Sequence, residues 1–170
     1  MPVTCATQRG LTQALEAMME SAVPLLVALV GAAVGAYFAV IKSQKERLWL
    51  DRYETLRDMV LCAGTVESSF SSSHMEQLGV SVMGTAESNR LQDEWPVAMH
   101  NLRQHVAKLR LLFKDSDISD VRDKMLALNS AFQDMYNGEQ LHQPELHEAI
   151  GRRACELSEA SVRVAQRHCL

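Results

Sequence analysis

Only 5% of the 170 residues are aromatic, and the four cysteines, Cys5, Cys62, Cys155 and Cys169, include no CxxC pair. Such spacing and density exclude a disulfide scaffold. Phosphate-cradling GxxxxGK[ST] and GxGxxG sequences are missing, as are HExxH, GxSxG and SxxK. The local signatures of nucleotide binding, zinc-dependent hydrolysis and serine nucleophiles therefore have no counterpart. Among the six histidines, His100 with His105 and His142 with His147 are each five residues apart. Ligand pairs on one helix face stand three or four apart, so no metal site is expected. Acidic residues such as Asp93, Glu94, Asp115, Asp117 and Asp120 fall at expected helix starts, where the macrodipole alone explains them. Nor does any segment sustain the alternation of a strand, and no stretch repeats at a fixed period. From Lys42 onward 16 Lys and Arg face 19 Asp and Glu, a net charge of −3. No basic field for a phosphate backbone results, and no nucleic acid, cofactor or small-molecule ligand is expected.

Charge is missing altogether from residues 22–41, AVPLLVALVGAAVGAYFAVI. At about 1.5 Å per residue this run covers about 30 Å, the hydrocarbon thickness of a bilayer. It predicts a transmembrane helix. A cleaved signal peptide fits less well: its apolar core would be shorter, its leading segment basic, and its exit marked by small residues. Arg9 alone precedes the run, whereas Lys42, Lys45, Arg47 and Arg52 follow it closely. The positive-inside rule then puts residues 1–21 outside as a short extracytoplasmic tail and the remainder in the cytoplasm. Leu11, Leu15, Met18 and Met19 would share one face of that tail, and Pro24 would sit in the first turn of a helix starting near Ser21.

Residues 42–170 are enough for one helical core. Trp49, Tyr53, Leu56, Val60 and Ala63 alternate spacings of four and three, a heptad seam that continues the span into one long helix. Serine-rich SSFSSS, followed by Gly79 and Gly84, predicts the end of that helix and a flexible loop near 71–90. A second pattern runs through Leu91, Trp95, Met99, Leu102, Val106, Leu109 and Phe113. Pro96 either opens this helix or kinks one already begun. A third runs from Ile118 to Met135 after a cap at Ser116 or Asp117, and Pro144 opens a fourth through Leu146, Ile150, Ala154, Leu157 and Val164. The expected fold is all-α: one N-terminal transmembrane helix continuing into a cytoplasmic antiparallel bundle of about four helices.

Two clusters offer interactions. Gly31 and Gly35 form GxxxG, and Ala28, Ala32, Ala36 and Ala39 extend the small surface, so a second copy's backbone could approach and a homodimer is expected through the span. The plainer explanation is that glycine and alanine are simply common in membrane helices. Lys42, Lys45, Arg47 and Arg52 could contact anionic lipid, but Glu46 and Asp51 dilute them, and a topogenic role suffices.

The small-residue span ending in AYFAVIKSQKERLWLDRYETLRDMV and the later KLRLLFKDSDISDVRDKM give the chain a layout that resembles bacterial single-pass membrane proteins of no assigned activity. These have a basic juxtamembrane helix and a cytoplasmic helical domain. The resemblance implies an inner-membrane location and a fold, and it transfers no functional residue. The expected function is that of a membrane-anchored interaction or scaffold protein with a cytoplasmic protein partner and no enzymatic activity. The alternative is a membrane-coupled sensor or regulator that relays a signal through the long helix.

Overall fold

A computed structural model of the chain describes the backbone of residues 4–80, 83–137 and 144–169, and side chains at 24 and from 26 onward within those ranges. The described residues form four helices: α1 (Thr4–Gln77), α2 (Thr85–Leu112), α3 (Ser119–Asn137) and α4 (Pro144–His168). The chain divides into two compact units, Met1–Arg47 and Leu48–Leu170. The second is a four-helix bundle.

Contacts between named side chains set its topology. Trp49 Nε1 on α1 donates to the Cys169 carbonyl just past α4, and His74 Nδ1 donates to the Pro144 carbonyl at the start of α4. These two helices are therefore antiparallel. Arg52 Nε donates to the Leu112 carbonyl at the end of α2, while Gln92, near its beginning, donates to Ser73. Arg103 reaches Asn129 from α2 to α3, and Lys124 with Asp120 on α3 pair with Glu156 and Arg163 on α4. Each neighbour thus runs opposite to the last, the up-down arrangement that short connections favour.

The core follows the expected stripes closely on three helices. Leu91, Met99, Leu102 and Leu109 on α2 are buried, as are Val121, Met125, Leu128, Phe132 and Met135 on α3. On α4 the buried set is Ile150, Gly151, Ala154, Leu157, Ala160, Ser161 and Val164. Pro144 opens α4 at a position where no amide proton is needed, Glu145 sits in its first turn, and Arg167 and His168 sit in its last, all in keeping with the macrodipole.

At the end of the bundle remote from Trp49, one ring from each helix meets. Phe70 stands edge-on to Trp95, Phe132 and His147 at centroid distances of 5.2, 5.2 and 5.5 Å, and Trp95 stacks on Phe132 at 5.3 Å. Aromatic pairs in these geometries contribute beyond their buried area.

Two expectations about α1 are corrected, and an alternative left open for α2 is decided. Helix α1 begins at Thr4, so Pro24 lies inside it rather than in its first turn. The side chains of Leu11, Leu15, Met18, Met19 and Cys5 lie outside those described. Helix α1 also runs through SSFSSS to Gln77, and α2 begins at Thr85, which removes 71–77 and 85–90 from the expected loop. Its end is fixed by Gly79, at φ +81, with Gly79 N–H bonded to the Glu76 carbonyl at 3.0 Å and Val80 N–H to the Met75 carbonyl at 2.9 Å. This pair of bonds caps the last carbonyls and requires the left-handed backbone that glycine tolerates. Of the two alternatives at Pro96 the second holds: α2 has already begun, at Thr85, and passes through Pro96. Leu91 is buried, and half-buried Trp95 packs the turn before Pro96 against the core.

One buttress on the bundle wall is sensitive to acid. Glu156 accepts from Lys124 Nζ and Arg153 Nη1, both at 3.0 Å, and these bonds hold its carboxyl below the usual range. A carboxyl depressed in the folded state adds stability above its unfolded pKa and loses it as pH falls through the folded value. Glu156→Gln is expected to cost up to about 1 kcal/mol at neutral pH, given the partial solvent exposure of all three side chains. Urea unfolding of the two proteins at neutral and strongly acid pH checks this: the difference should vanish in acid.

Candidate functional site

Three regions hold the residues singled out from the sequence. In the first unit, every residue from Leu26 to Val40 is exposed, the large apolar side chains there by 49–67%. A row of apolar side chains turned outward on all sides of a helix has no solvent in water; it fits an apolar medium. The helix is long and apolar enough to cross a membrane. A Cβ added at Gly31 or Gly35 would meet nothing within 4 Å. Both glycines, with Ala28, Ala32, Ala36 and Ala39, therefore present an open small-residue surface.

The basic cluster divides. Lys42 pairs loosely with Glu46 at 3.9 Å, and Lys45 and Arg47 are exposed. Arg52 does not belong with them. Besides its bond to the Leu112 carbonyl at 2.9 Å, its guanidinium lies 4.8 Å from the centre of the Phe113 ring. Arg52 is a clasp on the C-terminus of α2, where the last carbonyls need donors.

The heptad seam is also displaced. Leu56, Ala63 and Phe70 are buried in the register of the seam, but Met59 and Val66 are buried as well. Trp49 and Tyr53 are 46% and 39% exposed, and Val60 is half-buried. Met59 and Val60 are adjacent and both apolar, so spacing alone cannot choose between them. The packing of α1 against three helices chooses Met59, and it buries Val66 as well. Trp49 and Tyr53 instead stack at 5.7 Å on the rim. Tyr53 and Val60, with Arg57, Leu61, Val162 and Ala165, line a shallow groove of about 180 Å³ between α1 and α4.

Sequence reasoning did not find the serine face of α1. Ser69, Ser72 and Ser73 are buried, and a Cβ at Gly151 on α4 would come within 2.9 Å of Ser71 Oγ. Small side chains let the two helices approach closely, and Ser73 satisfies its hydroxyl on the Ser69 carbonyl at 2.9 Å. Beside this contact Glu67, Ser71, His74, Glu148, Arg152 and Cys155 border an open groove of about 510 Å³. Burial pushes the Cys155 thiol up, and the neighbouring Glu67 carboxylate, to which it is hydrogen bonded, pushes it further. Burial also raises the thiols of Cys62 and Cys169. All three favour the protonated, weakly nucleophilic form. Among the described residues no three His, Cys, Asp or Glu side chains are grouped to hold a metal ion.

Comparison with known protein families, with curated proteins and with solved structures finds no match to this chain.

Proposed function

We propose that this chain is a single-pass membrane protein whose helical bundle is a tethered interaction or scaffold module without enzymatic activity. The observation that carries the reading is the contrast between the units. The bundle closes a complete core from its own residues, whereas Leu26–Val40 leave every side chain uncovered. Lys42, Lys45 and Arg47 after the run, against Arg9 alone before it, support a cytoplasmic bundle. A bacterial inner membrane is the setting that the layout suggests. Tethering would act by raising the local concentration of a cytoplasmic protein partner at the membrane.

Self-association through Gly31 and Gly35 is part of this reading. Membrane crosslinking of the full chain is expected to yield a dimer that Gly31→Leu with Gly35→Leu abolishes, since each added side chain separates the two backbones. Unchanged crosslinking would remove the dimer. A second reading, a sensor that relays a change between bilayer and bundle, draws on the assignment of α1 as one helix from Thr4 to Gln77. Ligand-dependent crosslinking between Trp49 and Ala63 would favour it.

A further inference from the structure

Charge is unevenly distributed along the bundle. Glu76, Glu87, Glu94, Asp134, Glu145 and Glu148 belong to the end remote from Trp49, where the described basic residues are Arg90 and Arg152. The end that holds Trp49 differs. There the last turn of α2, the turn into α3 and the last turn of α4 bring Lys108, Arg110, Lys114 and Arg167, all exposed, to the level of Trp49 and Arg52. Asp51, Glu54, Asp115, Asp117 and Asp120 share this end; with Arg52 and with Arg163, which pairs with Asp120, six bases stand against five acids. Between Arg110 and Lys114 stands Leu111, at 87% the most exposed large apolar side chain among the described residues. The core stripe Leu102, Leu109 and Phe113 does not use it.

An apolar side chain held outward among lysines and arginines suits a surface that is anionic outside and apolar within. The chain itself limits how far such a surface can be. Only seven residues lead from Ile41 to Leu48, so this end cannot lie farther than about 25 Å along the backbone from the apolar run. Electrostatic attraction to a lipid surface fades within about 8 Å at physiological salt, so a tether of this length supplies the proximity that the charges need. We infer that the Trp49 end of the bundle is a docking surface for an anionic bilayer, with Lys108, Arg110, Lys114 and Arg167 on headgroup phosphates and Leu111 in the acyl boundary. This rests on the reading of residues 22–41 as a membrane span.

The test uses the full chain reconstituted with its bundle outward into phosphatidylcholine vesicles, with or without phosphatidylglycerol. A membrane-impermeant amine reagent then reports lysine accessibility. Lys124, paired with Glu156 on the bundle wall, is the internal reference. Labelling of Lys108 and Lys114 is expected to fall about threefold or more in the phosphatidylglycerol vesicles while Lys124 stays constant. Arg110→Gln with Leu111→Ser, both at exposed positions outside the core, should restore it. Equal labelling in both vesicle types, or protection that persists in the double variant, would overturn the inference. A carbonate wash separates the two claims. Chain retained in washed vesicles with equal lysine labelling refutes the docking surface and leaves the span intact. Chain released by the wash refutes the span and the docking surface together.

Discussion

Phe70→Ala is expected to cost about 3–5 kcal/mol of bundle stability, the usual range for a buried phenylalanine. Its ring touches one ring on each of the other three helices, so its removal opens a cavity where all four converge. A domain of this size has a total stability of only about 5–15 kcal/mol, and the loss would leave it marginal. Urea unfolding of the full chain, followed through the fluorescence of Trp49 and Trp95, reads the change. The midpoint should fall sharply, and the Trp95 emission should shift even before unfolding because its neighbour has gone. A change below about 1 kcal/mol would mean that the aromatic cluster does not hold the bundle end together.

The second large effect concerns the apolar run. Val30→Arg with Val34→Arg is expected to abolish integration into the membrane. Each arginine near the centre of a span costs about 2.5–3.5 kcal/mol, whereas each Leu, Ile, Phe or Val contributes only about 0.3–0.6. Residues 22–41 contain ten of those four types, and the double variant keeps eight. Their combined contribution is smaller than the cost of two arginines, so insertion changes sign. Carbonate-resistant sedimentation of the full chain measures this, with Val30→Leu and Val34→Leu as the control expected to stay in the membrane. Wild-type chain that is itself extracted by carbonate would refute the span.

Some features were legible without the fold because a single local rule controls them. The stripes Leu91–Phe113 and Ile118–Met135 were readable since each buried face contains apolar residues of one register and few rivals beside them. Pro144 was readable as a helix start because its own covalent geometry decides the matter. Where two registers competed, as at Met59 and Val60, periodicity was silent. The serines of SSFSSS misled for a related reason. Serine is a modest helix former, and a run of it reads as loop until a partner surface is known. Once Gly151 lies against Ser71, small side chains become what the contact requires.

Arg52 marks the same boundary from the charged side. Its place in the sequence, five residues after Arg47, groups it with the juxtamembrane bases. Its partner, the Leu112 carbonyl, is 60 residues away and belongs to a helix end whose position depends on the whole bundle.

The sequence alone established that the chain is helical, that its N-terminal region holds an uncharged run long enough to cross a bilayer, and which faces of α2, α3 and α4 turn inward. These follow from composition and from the 3.6-residue repeat, which act within a few turns of one helix. Tertiary structure decided the register of α1, the survival of its serine segment as helix, the clasp made by Arg52 and the placing of Lys108, Arg110, Leu111, Lys114 and Arg167 at the same end of the bundle as Trp49. Each depends on residues that chain connectivity separates and antiparallel packing brings together, and no periodicity within a single helix encodes that meeting.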